Sequence, residues 1–496
     1  MLSEFKEYVT KIEYLNSAMA VLSWDAMVNT PSKGKAYRGE ILGFLSGEYY
    51  KLITDDKVKV FIDYFNNESN LDDITNAMVK KIEKSYNEIK KIPEDFYIQY
   101  TVDASISSAA WEEAKNANDF SIFKPHLEKM VDYKKKFVDY LSFEENKYDT
   151  LLDMYEPGIT VKKLDEVFSE VRDAIVMLLK KIETSDVSIQ TDFFTKYFSK
   201  NDQEEFSKFI LSKLEYDFIS RGRIDESEHP FTTDFGKDDV RITTHYYEND
   251  FRSAMFGCIH EGGHAIYEQD ISKDLMGTGL AEGTSMGIHE SQSRFYENIL
   301  GRSKEFWSYF YPEAQKKFPQ FESITLDQFY KAINKVEPSL IRIEADELTY
   351  SLHVIIRYEL EKMLINDELK VEDLPTAWNK KYKDYLGVEP SSDADGVLQD
   401  MHWSDGSFGY FPSYALGNLY GAQMVKIMEK DIPNLYTQIS QGNFSDIHNW
   451  LKENVHKHGA VYKPAELIKK ITGEELKSEY FINYLNKKYS EIYNLV

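Results

Sequence analysis

The chain carries a single cysteine, Cys258, in 496 residues, so no disulfide and no cysteine-built zinc cluster can form within it. One thiol also fits a reducing compartment. Proline and glycine are sparse, at 13 and 24 residues, which leaves few enforced turns and argues for long helices over many short strands. Basic residues are in deficit. Against 84 Asp and Glu stand only 59 Lys and Arg, giving a formal charge of −25 with no long basic run, which excludes nucleic acid and anionic membrane surfaces as natural partners. No apolar run reaches the roughly 18 residues of a membrane span. The first residues include Glu4, Lys6, Glu7 and Lys11, where a secretion signal would need an unbroken apolar core. A cytoplasmic location is the expectation.

What is present is an ordinary globular balance, with 42% hydrophobic and 29% charged residues. Segments 161 to 185 and 203 to 220 place apolar residues at three- and four-residue spacing, as in Leu164, Val167, Val171, Ile175 and Leu178, which is the stripe of a core-facing helix. The stretch Arg221 to Asp250 differs. It holds clustered charge, His229-Pro230-Phe231 and Gly236, then the alternation Val240, Ile242, Thr244, and reads as a loop followed by a short strand. No linker or internal repeat divides the chain. The expectation is a mainly α protein, one large helical domain over residues 1–496 with a deep groove, in which an N-terminal helical half (about 1–225) packs on a second half (about 226–496).

The chemical signal is His260-Glu261-Gly262-Gly263-His264. On a helix, residues four apart lie about 40° from each other around the axis, so the two imidazoles can grip one metal ion while Glu261 reaches a water on it. Zinc lowers the pKa of such a water to about 7, and a carboxylate can then act as general base. Helical context is present: Asn249 or Asp250 can cap the start, and Phe251, Ala254, Met255, Cys258, Ala265 and Ile266 form an apolar stripe roughly opposite the histidines. Two adjacent glycines inside a helix cost about 1 kcal/mol each relative to alanine, which makes sense if something approaches the helix closely there. A catalytic zinc takes a third protein ligand, and spacing leaves Glu282, Glu290 and Glu297 as candidates.

Several separated motifs resemble those of the thermostable carboxypeptidase 1, or carboxypeptidase Taq, family of metallocarboxypeptidases. Besides the histidine pair, these are Ile288-His289-Glu290-Ser291-Gln292-Ser293-Arg294, His229-Pro230-Phe231, Asp239-Val240-Arg241-Ile242-Thr243, Ile341-Arg342 with Ala345-Asp346, and Gly396 with Gln399-Asp400 and His402-Trp403. Trp24-Asp25, Pro31 and Arg38 look like the family's opening, so the likeness runs along nearly the whole chain. The resemblance implies an almost wholly helical fold with a long groove, one zinc per subunit and a homodimer; the short strand puts a small β-sheet beside the zinc helix, and imidazole and carboxylate ligands accept cobalt as a possible substitute. The resemblance implies removal of single residues from the free C-terminus of peptides with broad preference. It also gives Glu290 the role of third ligand.

A carboxypeptidase must hold the substrate's α-carboxylate, which arginine does best through paired hydrogen bonds. Arg241 and Arg342 are both candidates, each with a neighbouring aspartate as competitor. His402 is the better candidate for an oxyanion donor, with Tyr410 and Tyr414 behind it; His229, His289 and Gln399 are further groove candidates. No aspartate stands four residues after Glu290 to orient a ligand histidine; Arg294 is there, and Asp346 is the expected substitute. Two other readings share these residues: a zinc oligopeptidase or dipeptidyl carboxypeptidase, and a metal-stabilised helical binding protein without turnover.

Overall fold

Several long amphipathic stretches become helices here because they have both a capping side chain at the start and an apolar stripe to bury. In a computed structural model of the protein, which describes residues 1–495, the chain opens with α1 (Leu2–Val28), α2 (Lys35–Thr54), α3 (Asp56–Asn66) and α4 (Asp73–Lys91). They bury Phe5, Val58, Phe61 and Met78 in a small core of their own, which also takes in Ile271, Leu275 and Leu280 from far along the chain. Next come α5 (Glu94–Ala117), α6 (Phe120–Leu141), α7 (Val161–Glu183) and α8 (Lys200–Lys213). In α7 the Thr160 hydroxyl accepts from Lys163 N, and Leu164, Val167, Val171, Ile175 and Leu178 are all buried. The helix expected over 203 to 220 begins three residues earlier and stops at Lys213, where Glu215 takes a left-handed φ of 70°.

The stretch read as a loop and one strand holds three strands: β1 (Gly222–Glu226), β2 (Thr232–Asp234) and β3 (Val240–Thr244), in the order β1-β3-β2. β1 runs parallel to β3 and β2 antiparallel, with Gly222 opposite Val240 and Thr233 opposite Arg241. β1 and β2 carry no apolar alternation, because neither faces a core; only β3 is largely buried.

After the sheet come α9 (Phe251–Gln269), capped by the Asp250 carboxylate on Arg252 N, and α10 (Met286–Arg294), capped by the Ser285 hydroxyl on Ile288 N. Then follow α11 (Glu347–Ile365), α12 (Leu374–Leu386) and α13 (Pro412–Asp431). One large core gathers Leu127, Leu164 and Leu211 with Ile259, Leu352 and Leu416, so apolar packing is continuous across residue 225. A cleft of roughly 2180 Å³ is lined on one side by α4 and α5 and on the other by β2, α9 and α10. No helix among the described residues is long and apolar enough to cross a membrane.

Candidate metal centre

The two glycines of α9 are where neighbours press on the helix. A Cβ on Gly263 would stand 2.8 Å from both Gln292 O and Ser293 Cα, so α10 lies against α9 backbone to backbone. A Cβ on Gly262 would meet Leu211 Cδ2 at 2.4 Å. On the far side of α10, Gly417 in α13 leaves room for Glu290, whose Cγ would be 2.6 Å from a Cβ there. Three elements without intervening side chains thus set the depth of Glu290. Glu290 stands in the middle of α10.

This packing brings one ligand atom each of His260, His264 and Glu290 within 4.8 Å of one another. Glu290 Oε2 lies 3.7 Å from His260 Nε2 and 3.5 Å from His264 Nε2. Donors about 2.0–2.1 Å from a tetrahedral ion are about 3.3 Å apart, so both separations from Glu290 are close to what such an ion needs. The other two glutamates go elsewhere. Glu282 pairs with Lys81, and Glu297 Oε2 sits 2.9 Å from His260 Nδ1. Glu297 arrives through a π-helical turn, Phe295–Leu300, of the kind that recurs at functional sites.

Each of the three candidate donors has its orienter, and none is Asp346, which instead caps α11 through Leu348 N and Thr349 N, both at 3.0 Å. His260 Nδ1–H donates to Glu297. His264 Nδ1 lies 2.6 Å from His289 Nδ1, and His289 Nε2 lies 2.7 Å from Glu268 Oε1. A proton on His264 Nδ1 and another on His289 Nε2 satisfy this chain and leave His264 Nε2 free for metal. Arg294 Nε donates to Glu290 Oε1 at 2.6 Å, which turns Oε2 toward the histidines. Burial disfavours the Glu290 charge, yet Arg294 and His260 hold its pKa well below the carboxylate range. Burial, with His289 and His260 adding, pushes His264 down to about 3, so its imidazole is neutral, the form that can donate to a metal. For His260 burial is outweighed by Glu290 and Glu297, and its pKa is raised.

Glu261 is buried beside them; its Oε2 accepts from the Thr232 hydroxyl at 2.6 Å, and burial lifts its pKa. Farther along the cleft lie Arg342, His402, Tyr410 and Tyr414, with His229 exposed at another part of the wall. Arg342 directs Nε (3.0 Å) and Nη2 (2.9 Å) to Asp400 Oδ1 and stands over the Tyr414 ring. Asp400 therefore orients arginines rather than an imidazole, since Arg357 Nε takes its other oxygen at 2.6 Å. His402 Nε2 is 3.3 Å from the Tyr414 hydroxyl, and burial together with Arg342 holds its pKa at about 4.

Two sequence candidates are placed otherwise. Arg241 is locked to Asp239 by two 2.7 Å bonds and sandwiched between Trp24 and Phe235, and it does not line the cleft. It clasps α1 to the sheet. Gln399 does line the cleft, but its amide is engaged with Arg342 N and with the carbonyls of Leu340, Asp395 and Gly396, so it braces backbone there. Glu268 was missed by the sequence reading, although its spacing of four from His264 places both on one helix face; Arg357 and Gly417 carry no local signal.

The whole chain is similar to known proteins. Residues 4–489 match the carboxypeptidase Taq (M32) metallopeptidase family. The chain is 48% identical to carboxypeptidase 1 of Bacillus subtilis over 494 residues, covering 99% of this chain and 98% of that one. It is 38% identical to thermostable carboxypeptidase 1 of Pyrococcus furiosus, with 97% and 96% covered. Its fold superposes on the M32 carboxypeptidase of Deinococcus radiodurans with a TM-score of 0.97 at 35% identity, covering 100% and 99% of the two chains. Fold and site together define a metallocarboxypeptidase. The chain belongs to the carboxypeptidase Taq (M32) family.

Proposed function

We propose that the protein releases single amino acids from the free C-terminus of peptides, with broad preference, and that His260, His264 and Glu290 hold zinc. The observation that carries this reading is a three-donor trio with a buried carboxylate beside it, set in a cleft that Arg342 also lines. Two imidazoles and one carboxylate suit zinc and accept cobalt. The bound ion supplies Lewis acidity to the scissile carbonyl and acidifies a water.

The chain's own groups do the rest. Glu261, its pKa raised by burial, takes a proton at Oε and returns it to the leaving amine. Arg342 keeps two N–H groups beyond those given to Asp400 and Tyr350, and these fit the substrate's α-carboxylate. His402, neutral at working pH, and the hydroxyls of Tyr410 and Tyr414 are the oxyanion donors, and His229 serves the more distant part of the groove.

β2 supports an extended substrate. Phe231 O accepts from Thr243 N and Phe235 N donates to Asp239 O, so by alternation the amides and carbonyls of Thr232 and Asp234 point away from β3, at an edge that lines the cleft. The homodimer has support in α2, which buries only Ile53 and exposes Tyr37 and Phe44. The deciding test is product mass from a free-acid peptide and its C-terminal amide, with and without a chelator. Loss of one residue from the free acid alone, abolished by chelation, is expected. Dipeptide products indicate a dipeptidyl carboxypeptidase, and equal cleavage of the amide removes Arg342's role.

A further inference from the structure

Between α12 and α13 the chain runs from Gly387 to Phe411 without helix or strand. Irregular stretches of that length in a folded domain are uncommon and mostly functional, and this one carries Asp400, His402 and Tyr410. Side chains on such a loop meet a reacting atom reproducibly only if their backbone is fixed by something else. Glu361 on α11, fully buried, stands between the two limbs of the loop. Its Oε1 accepts from Trp403 Nε1 at 2.7 Å, and its Oε2 accepts from Gly409 N at 2.8 Å and from the Tyr148 hydroxyl. His402 directly precedes one pinned residue, and Tyr410 directly follows the other. At Gly409, with φ of 97°, a Cβ would come within 2.5 Å of Leu151 O, so this limb is held from two directions.

The outer side is gripped by α5. Tyr100 donates to Asp405 O at 3.0 Å, Trp111 Nε1 to Leu398 O at 3.0 Å and Lys115 Nζ to Gln399 O at 2.9 Å, while Ser108 and Ser404 hydroxyls meet at 3.2 Å. Positions 100, 108, 111 and 115 fall within about 80° around the helix axis, a single face. Loop carbonyls that have no ladder partner are thereby satisfied by one helix from the other half of the chain.

We propose that Glu361 is a positioning residue for the peptidase reaction: it pins both limbs of the Gly387–Phe411 loop from inside, against the grip of α5, and so places His402 and Tyr410 in the cleft. This rests on the reading of His402 and Tyr410 as acting groups. Glu361→Gln keeps the shape but must turn its NH2 toward either the Trp403 indole N–H or the Gly409 N–H, setting donor against donor.

The test combines steady-state kinetics, metal content and hydrogen–deuterium exchange on the zinc-loaded full chain. In Glu361→Gln, amides of 398–410 should exchange faster while those of 286–294 do not change, and kcat should fall about tenfold with KM and bound zinc preserved. Trp111→Phe and Tyr100→Phe, which delete one donor each and keep the ring, should move the same readouts in the same direction by less, and they carry the test if Glu361→Gln does not fold. Unchanged loop exchange overturns the proposal, as does a fall in kcat that merely tracks lost zinc. Exchange needs no turnover, so full activity in His402→Ala beside a loosened loop in Glu361→Gln would refute the role of His402 and leave the pin standing.

Discussion

A single carboxylate separates a hydrolase from a metal-stabilised binding protein. Glu261 touches Thr232 and is not one of the three clustered donors, so Glu261→Gln should retain the metal and lower kcat by a factor on the order of 10² to 10⁴. Metal analysis of the purified variant beside its turnover decides this, and retained activity removes the mechanism. Glu297 acts on affinity instead. Removing it strips His260 of its Nδ1 acceptor, and Glu297→Ala should weaken metal binding roughly 10- to 100-fold in a chelator competition. At this scale the sequence showed the histidine pair and Glu261 directly, because a spacing of four on a helix is also a spatial statement. It could not rank Glu290 over Glu282 and Glu297, because that choice is made by a π-helical turn and by Lys81, neither of which leaves a periodic trace. Nor could it rank Arg241 against Arg342: each sits near an aspartate in the chain, and only the fold shows one stacked on Trp24 and the other open to the cleft.

Helices close on one another where glycine removes the last obstacle, and the two glycines of α9 should respond differently to a methyl group. Gly263→Ala sets a Cβ against the backbone of Gln292 and Ser293, which can yield only by moving α10 and Glu290 with it. Gly262→Ala meets the end of the Leu211 side chain, which can rotate. The first should lower both thermal stability and metal affinity, the second should change either only slightly, and melting curves with and without chelator distinguish them. Why the pair is there was legible as a close approach, although the approaching partner was not. Elements were otherwise readable in proportion to their burial. α7, with one face wholly apolar, was recovered with its N-terminal boundary, whereas β1 and β2, exposed to the cleft or to α1, have no alternation to read.

The two cores and the cleft between them arise from contacts hundreds of positions apart, such as Thr10 with Gly277 O and Ser17 with Phe235 O, which no local pattern encodes. The sequence suggested one undivided chain because it lacks a linker; where the cleft would open was outside its reach. Long-range packing also strands carboxyls in apolar surroundings. Glu156, which joins α10 to α13 by accepting from Gly287 N at 2.9 Å and the Tyr420 hydroxyl at 2.8 Å, is raised by burial from 4.5 to about 7. A carboxyl that holds its proton more tightly when folded stabilises the fold fully below the unfolded pKa. That contribution shrinks as pH rises from 4.5 and is gone above about 7, since the unfolded chain ionises first. Glutamine at 156 imitates the protonated acid and does not titrate, and Tyr420 can reverse its hydroxyl to accept from the new amide. With the metal removed, so that its own proton-linked binding does not intrude, the unfolding free energy of Glu156→Gln from urea titration should therefore rise relative to wild type between about pH 5 and about pH 8, by at most about 1.4 kcal/mol per unit of pKa displacement. A flat difference across that window would mean that Glu156 is ionised in the folded protein and that the α10–α13 junction is held by a charge.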